Sequence, residues 1–125
     1  AGAHGIIIPK RRSVGLTATV AKASAGAVEY IKVARVTNIN AAIEELKQKG
    51  VWIFGTAAEG STVMYEANLT IPAAIVIGSE GDGMSRLVRK NCDIMVHIPM
   101  KGRVSSLNAS AAASLLLYEA VRQRR

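Results

Sequence analysis

Two turns in the second half of the chain hold the residues best suited to chemistry. The first is Ile77-Gly78-Ser79-Glu80-Gly81-Asp82-Gly83, with three glycines in six positions between an apolar run and a helical segment. Glycine permits a sharp turn and lets a ligand approach the backbone closely. The order Gly78-x-x-Gly81-x-Gly83 is not the dinucleotide GxGxxG order, and no Walker lysine follows. Glu80 and Asp82 would also repel a phosphate, so a nucleotide-phosphate cradle is disfavoured. A plain strand-to-helix turn is the other reading. The second turn is Ile98-Pro99-Met100-Lys101-Gly102-Arg103-Val104-Ser105-Ser106-Leu107-Asn108-Ala109-Ser110. Its Ser105, Ser106 and Asn108 cluster where a strand gives way to a long helix. They either cap that helix or orient a ligand there, with Lys101 and Arg103 adding positive charge. Gly55-Thr56 is a third, weaker loop signal.

Other chemistries find less support. His4 and His97 have no Cys or carboxylate at metal-ligand spacing, so no metal site is expected. His97 falls within a strand and reads as packed or exposed. Cys92 has no base partner in sequence and reads as a buried structural thiol. There is no GxSxG nucleophile elbow. Lys10-Arg11-Arg12 reads as a solvated loop or an RNA-backbone contact. Arg122, Arg124 and Arg125 read the same way, with fraying expected at the end of the chain. Trp52 and Phe54 lie in a strand and are expected in the core.

The elements that position these residues alternate. Gly5–Pro9 is a predicted buried strand rich in β-branched residues. Thr17–Ala25 is a predicted short helix and Tyr30–Val33 a further strand. Asn38 caps a helix that Gly50 stops. Val51–Gly55 is a strand, and Glu59–Thr70 reads as loop and turn. Ala73–Ile77 is a fully buried strand, Ser85–Asn91 a short helix capped by Ser85, and Asp93–Ile98 another strand. Ser106–Arg124 is the longest helix, with Leu107, Ala111, Leu115, Tyr118 and Val121 roughly on one face. Continuous apolar strands alternating with helices predict an α/β fold, a mostly parallel sheet covered by helices on both faces. Ligands in such sheets sit beyond the carboxyl ends of the strands. Gly55–Glu59, Gly78–Gly83 and Pro99–Ser106 fall there.

The 125 residues suit one domain, spanning 1–125, and can bury a core without disulfides or metals. The formal net charge of +7, from 16 Lys and Arg against 9 Asp and Glu, favours polyanionic partners. Nucleic acid comes first and an anionic membrane surface second. The single cysteine rules out an internal disulfide and fits a reducing cytoplasm. The apolar runs are too short to span a bilayer. Ala1-Gly2-Ala3-His4-Gly5 lacks an initiator Met and leads at once into Ile6-Ile7-Ile8, as the middle of a domain would.

Taken together, these segments resemble the SpoU (TrmH-like) branch of the SPOUT methyltransferases. Ile75-Val76-Ile77-Gly78-Ser79-Glu80-Gly81-Asp82-Gly83-Met84 is similar to the family's second motif. Ile98-Pro99-Met100 with Ser105-Ser106-Leu107-Asn108-Ala109-Ser110 is similar to its third. Ala1–Lys10, Arg35-Val36-Thr37-Asn38 and Tyr118-Glu119-Ala120-Val121-Arg122-Gln123 also fit. The resemblance covers nearly the whole chain, and the two motifs in this order are specific. Within the branch, the likeness runs to bacterial enzymes that methylate a guanosine ribose in large-subunit (23S) ribosomal RNA.

The resemblance implies a C-terminal trefoil knot, which general chain rules would not give, a homodimer, and S-adenosylmethionine as cofactor. It carries cofactor contacts onto Gly78, Ile98, Met100 and Leu107, with Thr56 in the loop beneath the adenine. It places Glu80, Ser106 and Asn108 near the reacting centre. The implied reaction is an in-line attack of a ribose 2′-oxygen on the sulfonium methyl, helped mainly by alignment. The family's first motif carries an Asn and an Arg just upstream of the segment matching Ala1–Gly5, and neither is in this chain. Little turnover is expected without them. A non-catalytic RNA-binding protein that keeps the fold is the main alternative, and an unrelated small-molecule α/β enzyme is another.

Overall fold

The computed structural model describes residues 1–10, 26–78, 83–104 and 107–125. The helix predicted over Thr17–Ala25 lies outside the described residues, as do Arg11 and Arg12. The chain divides into two compact units, Gly2–Ala42 and Ile43–Arg125, the latter grouped with Ala1.

In the first unit, β1 (Gly5–Pro9) runs parallel to β2 (Lys32–Val36), with Gly5 opposite Lys32 and Pro9 opposite Val36. Lys10 N–H continues the ladder to Val36 O at 2.8 Å. The second strand starts later than Tyr30–Val33. Gly26, at φ 81°, opens a 3-10 turn over Ala27–Glu29, and the Tyr30 amide is spent on Ala27 O at 2.9 Å. Tyr30 is 91% exposed. Helix α1 (Ile39–Gln48) starts as expected: Asn38 Oδ1 accepts from Ala41 N at 3.2 Å. It stops at Gly50, φ 86°, where Gly50 N–H reaches Lys47 O and Val51 N–H reaches Leu46 O. Those two bonds form a Schellman cap, which a left-handed glycine makes cheap.

The second unit holds a four-stranded parallel sheet in the order β4-β6-β3-β5. The strands are β3 (Trp52–Thr56), β4 (Thr62–Val63), β5 (Ala73–Val76) and β6 (Ile94–His97). Helices α2 (Arg86–Asn91) and α3 (Ala109–Gln123) complete it. The α/β reading therefore holds. Ile53 and Phe54 are neighbours in β3, so they point to opposite faces, and both are at most 1% exposed. The sheet is thus covered on both sides at β3. Phe54 joins Met64, Ala67, Leu69, Val96 and Leu116 in the core, with Ile75, Ile77, Ile94 and Ile98 packed against it.

Several expectations need correction. The stretch read as loop over Glu59–Thr70 contains β4 and a 3-10 turn, Met64–Glu66, whose Met64 is buried. β5 is half-buried throughout, because it lies at an edge of this sheet. Trp52 opens β3 and is 48% exposed, whereas Phe54 is core. Cys92 is half-buried, its Sγ 3.3 Å from Val88 O. Helix α3 buries Leu116 and Glu119, while Leu115 and Tyr118 are exposed. The apolar stripe expected from the sequence is one residue out of phase with the core.

The end of α3 is not frayed. The Gln123 carboxamide accepts from Leu69 N at 2.7 Å and donates to Ala67 O at 2.9 Å. Arg124 donates to Leu69 O and Ile71 O, each at 2.8 Å. Buried Glu119 holds Arg122 through both carboxylate oxygens at 2.8 Å and accepts from Gln123 Nε2. This polar clamp satisfies the backbone of the segment that leads into β5. The bonds from Arg122, then Gln123, hold the Glu119 carboxyl at about 2. A carboxyl depressed in the folded state contributes stability above its ordinary range near about 4.3, lost as pH falls toward the folded value. The thermal midpoint is therefore expected to fall more steeply between about pH 5 and 2 for the wild type than for Glu119→Gln. Thermal unfolding followed by circular dichroism across that range checks this, and parallel curves would contradict it.

Candidate functional site

Strand order decides where the predicted loops go. β3 lies between β6 and β5, all parallel, with Gly55 opposite both Val76 and Met95. The three carboxyl ends therefore emerge side by side, delivering Thr56–Glu59, Ile77–Gly78 and Ile98–Met100 to one edge. At the other ends of the strands, Asp93 Oδ2 accepts from Ile53 N at 2.7 Å, and Asp93 N–H donates to Ile53 O at 2.8 Å. Lys47 Nζ sits 3.5 Å from Asp93 Oδ1. This pairing sets the register of β6 on β3.

Thr56 ends β3, and its hydroxyl donates to Val76 O at 3.0 Å. The side chain is spent on joining β3 to β5. Gly78 is packed against backbone: a Cβ there would lie 2.7 Å from Gly83 C and Met84 N. No side chain fits without moving the turn. Gly83 closes the same turn at φ 69°, a conformation that favours glycine. Ile98 is half-buried and anchored on the core. Met100, Val104 and Leu107 follow it with 36%, 67% and 38% exposure. Asn108 is the N-cap of α3, its Oδ1 accepting from Ala111 N at 2.8 Å. The capping reading is thus realised there, and the other end of the carboxamide is a donor. Glu80 and Ser106 lie outside the described residues.

Residues to which the sequence assigned no role at the site hold the first loop. Ala57 N–H donates to Val96 O at 3.0 Å, and Gly60 presses on the Val96 backbone, where a Cβ would come within 2.7 Å. His97 Nδ1 lies 2.7 Å from Gly60 O. Glu59 pairs with Arg89 of α2, whose hydrogen bond first of all lowers the Glu59 pKa. Only the pairing of β4 with β6 brings Gly60 to His97, and no local pattern announces that. Burial raises the Cys92 thiol, so this cysteine is a poor nucleophile at neutral pH. Among the described residues, no group of three or more His, Cys, Asp or Glu stands together to hold a metal ion. Among them, too, no helix is long and apolar enough to cross a membrane.

The model of the SpoU rRNA methylase family matches residues 1–118. The chain belongs to the SpoU family. A TrmH family tRNA/rRNA methyltransferase of Bacillus subtilis is 57% identical over 123 residues, which are 98% of this chain and 49% of that protein. A TrmH family relative in Staphylococcus saprophyticus is 60% identical over the same shares. The chain thus spans about half the length of the curated relatives it matches. Among solved structures, the SpoU methyltransferase AviRb of Streptomyces viridochromogenes, in complex with S-adenosylmethionine, superposes with a TM-score of 0.90. It is 33% identical, and the match covers 98% of this chain and 48% of that one. An RNA 2′-O ribose methyltransferase matches with a TM-score of 0.88 at 32% identity, over 98% of this chain and 47% of that one. Both solved structures share the fold of this chain over nearly its whole length.

The Gly78 contact yields a direct expectation. Gly78→Ala forces a methyl into backbone and should destabilise the chain by about 1–3 kcal/mol, as overpacking does. Urea denaturation measures it, and an unchanged midpoint would contradict the packing described.

Proposed function

We propose that this chain forms the S-adenosylmethionine site of an RNA ribose 2′-O-methyltransferase. The observation that carries the reading is the convergence of the loops after β3, β5 and β6 at one sheet edge. Its residues suit the cofactor. Gly78 lets the backbone of Gly83 and Met84 pack directly against it, and exposed Met100, Val104 and Leu107 offer apolar surface to an adenine. Thr56, Gly78, Ile98, Met100 and Leu107 would hold the cofactor, largely through backbone groups. When bound, S-adenosylmethionine supplies an electrophilic methyl group. The chain's own part is alignment: Glu80, Ser106 and the amide of Asn108 would orient the ribose or the cofactor, which converts binding energy into reaction rate.

The RNA partner is supported by the net charge of +7 and by the RNA substrates named for its relatives. A guanosine of large-subunit (23S) ribosomal RNA is the proposed target. The C-terminal trefoil knot and a homodimer belong to the same reading. Exposed Leu115 and Tyr118 on α3 favour a second copy.

Calorimetric titration with S-adenosylhomocysteine should give one saturable site per chain. No saturable heat from a folded sample would overturn the reading. Any ribosomal RNA that this chain methylates should yield an alkali-resistant dinucleotide, since a methylated 2′-oxygen cannot attack the neighbouring phosphate. Methyl groups found only on bases would refute the ribose assignment.

A further inference from the structure

The loop that leaves Thr56 is tied to β6 and α2 more firmly than a surface connection requires. Its ties are Ala57 N–H to Val96 O, the close packing of Gly60 on the Val96 backbone, the Glu59–Arg89 ion pair and the His97–Gly60 bond. They are not equal. Glu59 and Arg89 are 64% and 42% exposed, so their pairing is screened and weak. The His97 contact is half-buried and only 2.7 Å long. It is also the tie that a single side chain controls. Gly60 offers its carbonyl, so Nδ1 must carry the proton and donate.

Chain position gives this bond its consequence. His97 is the last residue of β6 and leads directly into Ile98-Pro99-Met100. Its ring holds the loop that carries Thr56. One side chain therefore couples, covalently on one side and by a hydrogen bond on the other, two of the three converging loops. We propose that His97 is a positioning residue of the cofactor site, fixing the Thr56 loop against the Ile98–Met100 segment. This rests on the S-adenosylmethionine reading.

The test compares His97→Phe, which keeps the ring and loses the donor, with His97→Asn, whose Nδ2 amide can take the place of Nδ1–H. S-adenosylhomocysteine affinity is measured by calorimetry and the melting temperature by calorimetric scan. Losing the bond is expected to weaken binding about tenfold in His97→Phe, while His97→Asn stays within about threefold of the wild type. Equal affinity of His97→Phe and wild type, or an Asn variant no better than Phe, would overturn the proposal. A purely structural role would lower melting temperatures without separating Asn from Phe in affinity. Should His97→Phe not fold, His97→Gln replaces it, because its amide reaches the Nε2 position and should behave as Phe does. Wild-type protein that binds nothing overturns the cofactor reading and this proposal with it. Wild-type binding that His97→Phe leaves unchanged overturns the positioning role alone.

Discussion

The candidate site depends on β3 being the inner strand between β6 and β5. Its backbone ladders run to both, and its consecutive residues Ile53 and Phe54 are buried on opposite faces. Burying two such side chains contributes about 3–6 kcal/mol before entropy is counted. That is enough to make any other strand arrangement costly. The reciprocal bonds between Asp93 and Ile53 then fix β6 in register. Once three parallel strands are locked this way, their carboxyl ends must open together, and the loops they release share one edge.

The helices serve this arrangement in different ways. α3 begins at Asn108, beside the converging loops, and ends in the clamp of Glu119, Arg122, Gln123 and Arg124 on the segment Ala67–Ile71. One helix thus links the entry of β5 to the loop that leaves β6. Its buried face is narrow, with Leu116 and Ala120 against the core and polar bonds beyond them. Much of its attachment is therefore directional hydrogen bonding, which specifies one geometry where apolar packing would tolerate several.

Much of this was legible in the amino-acid sequence. The apolar runs around Ile6, Ile53 and Ile75 mark strands because β-branched continuity has few other meanings. Asn38, Gly50, Ser85 and Asn108 mark helix ends because capping is a local interaction. Less legible was whatever depends on partners distant in sequence. β4 is too short to show a period, and its existence follows from pairing with β6. The phase of α3 is not legible because its inward face includes Glu119, whose charge is met by Arg122 and Gln123. The tether from His97 to Gly60 joins residues 37 apart and carries no local signature. At the site itself, Gly78 and Asn108 stood out by type. Thr56 was a weak loop signal, and the roles of Ile98, Met100 and Leu107 came through family resemblance, since isolated apolar residues in loops are ordinary.

The loops after β3, β5 and β6 are proposed to form one S-adenosylmethionine site. The most direct measurement is a backbone amide NMR titration of the isotopically labelled chain with S-adenosylhomocysteine. Perturbed amides should cluster at Thr56–Gly60, Gly78–Met84 and Ile98–Asn108, moving together with one dissociation constant. Perturbation centred instead on the hollow at the opposite ends of the strands, lined by Lys47, Gly50, Val51, Trp52 and Asp93, would contradict it. So would a spectrum that does not change.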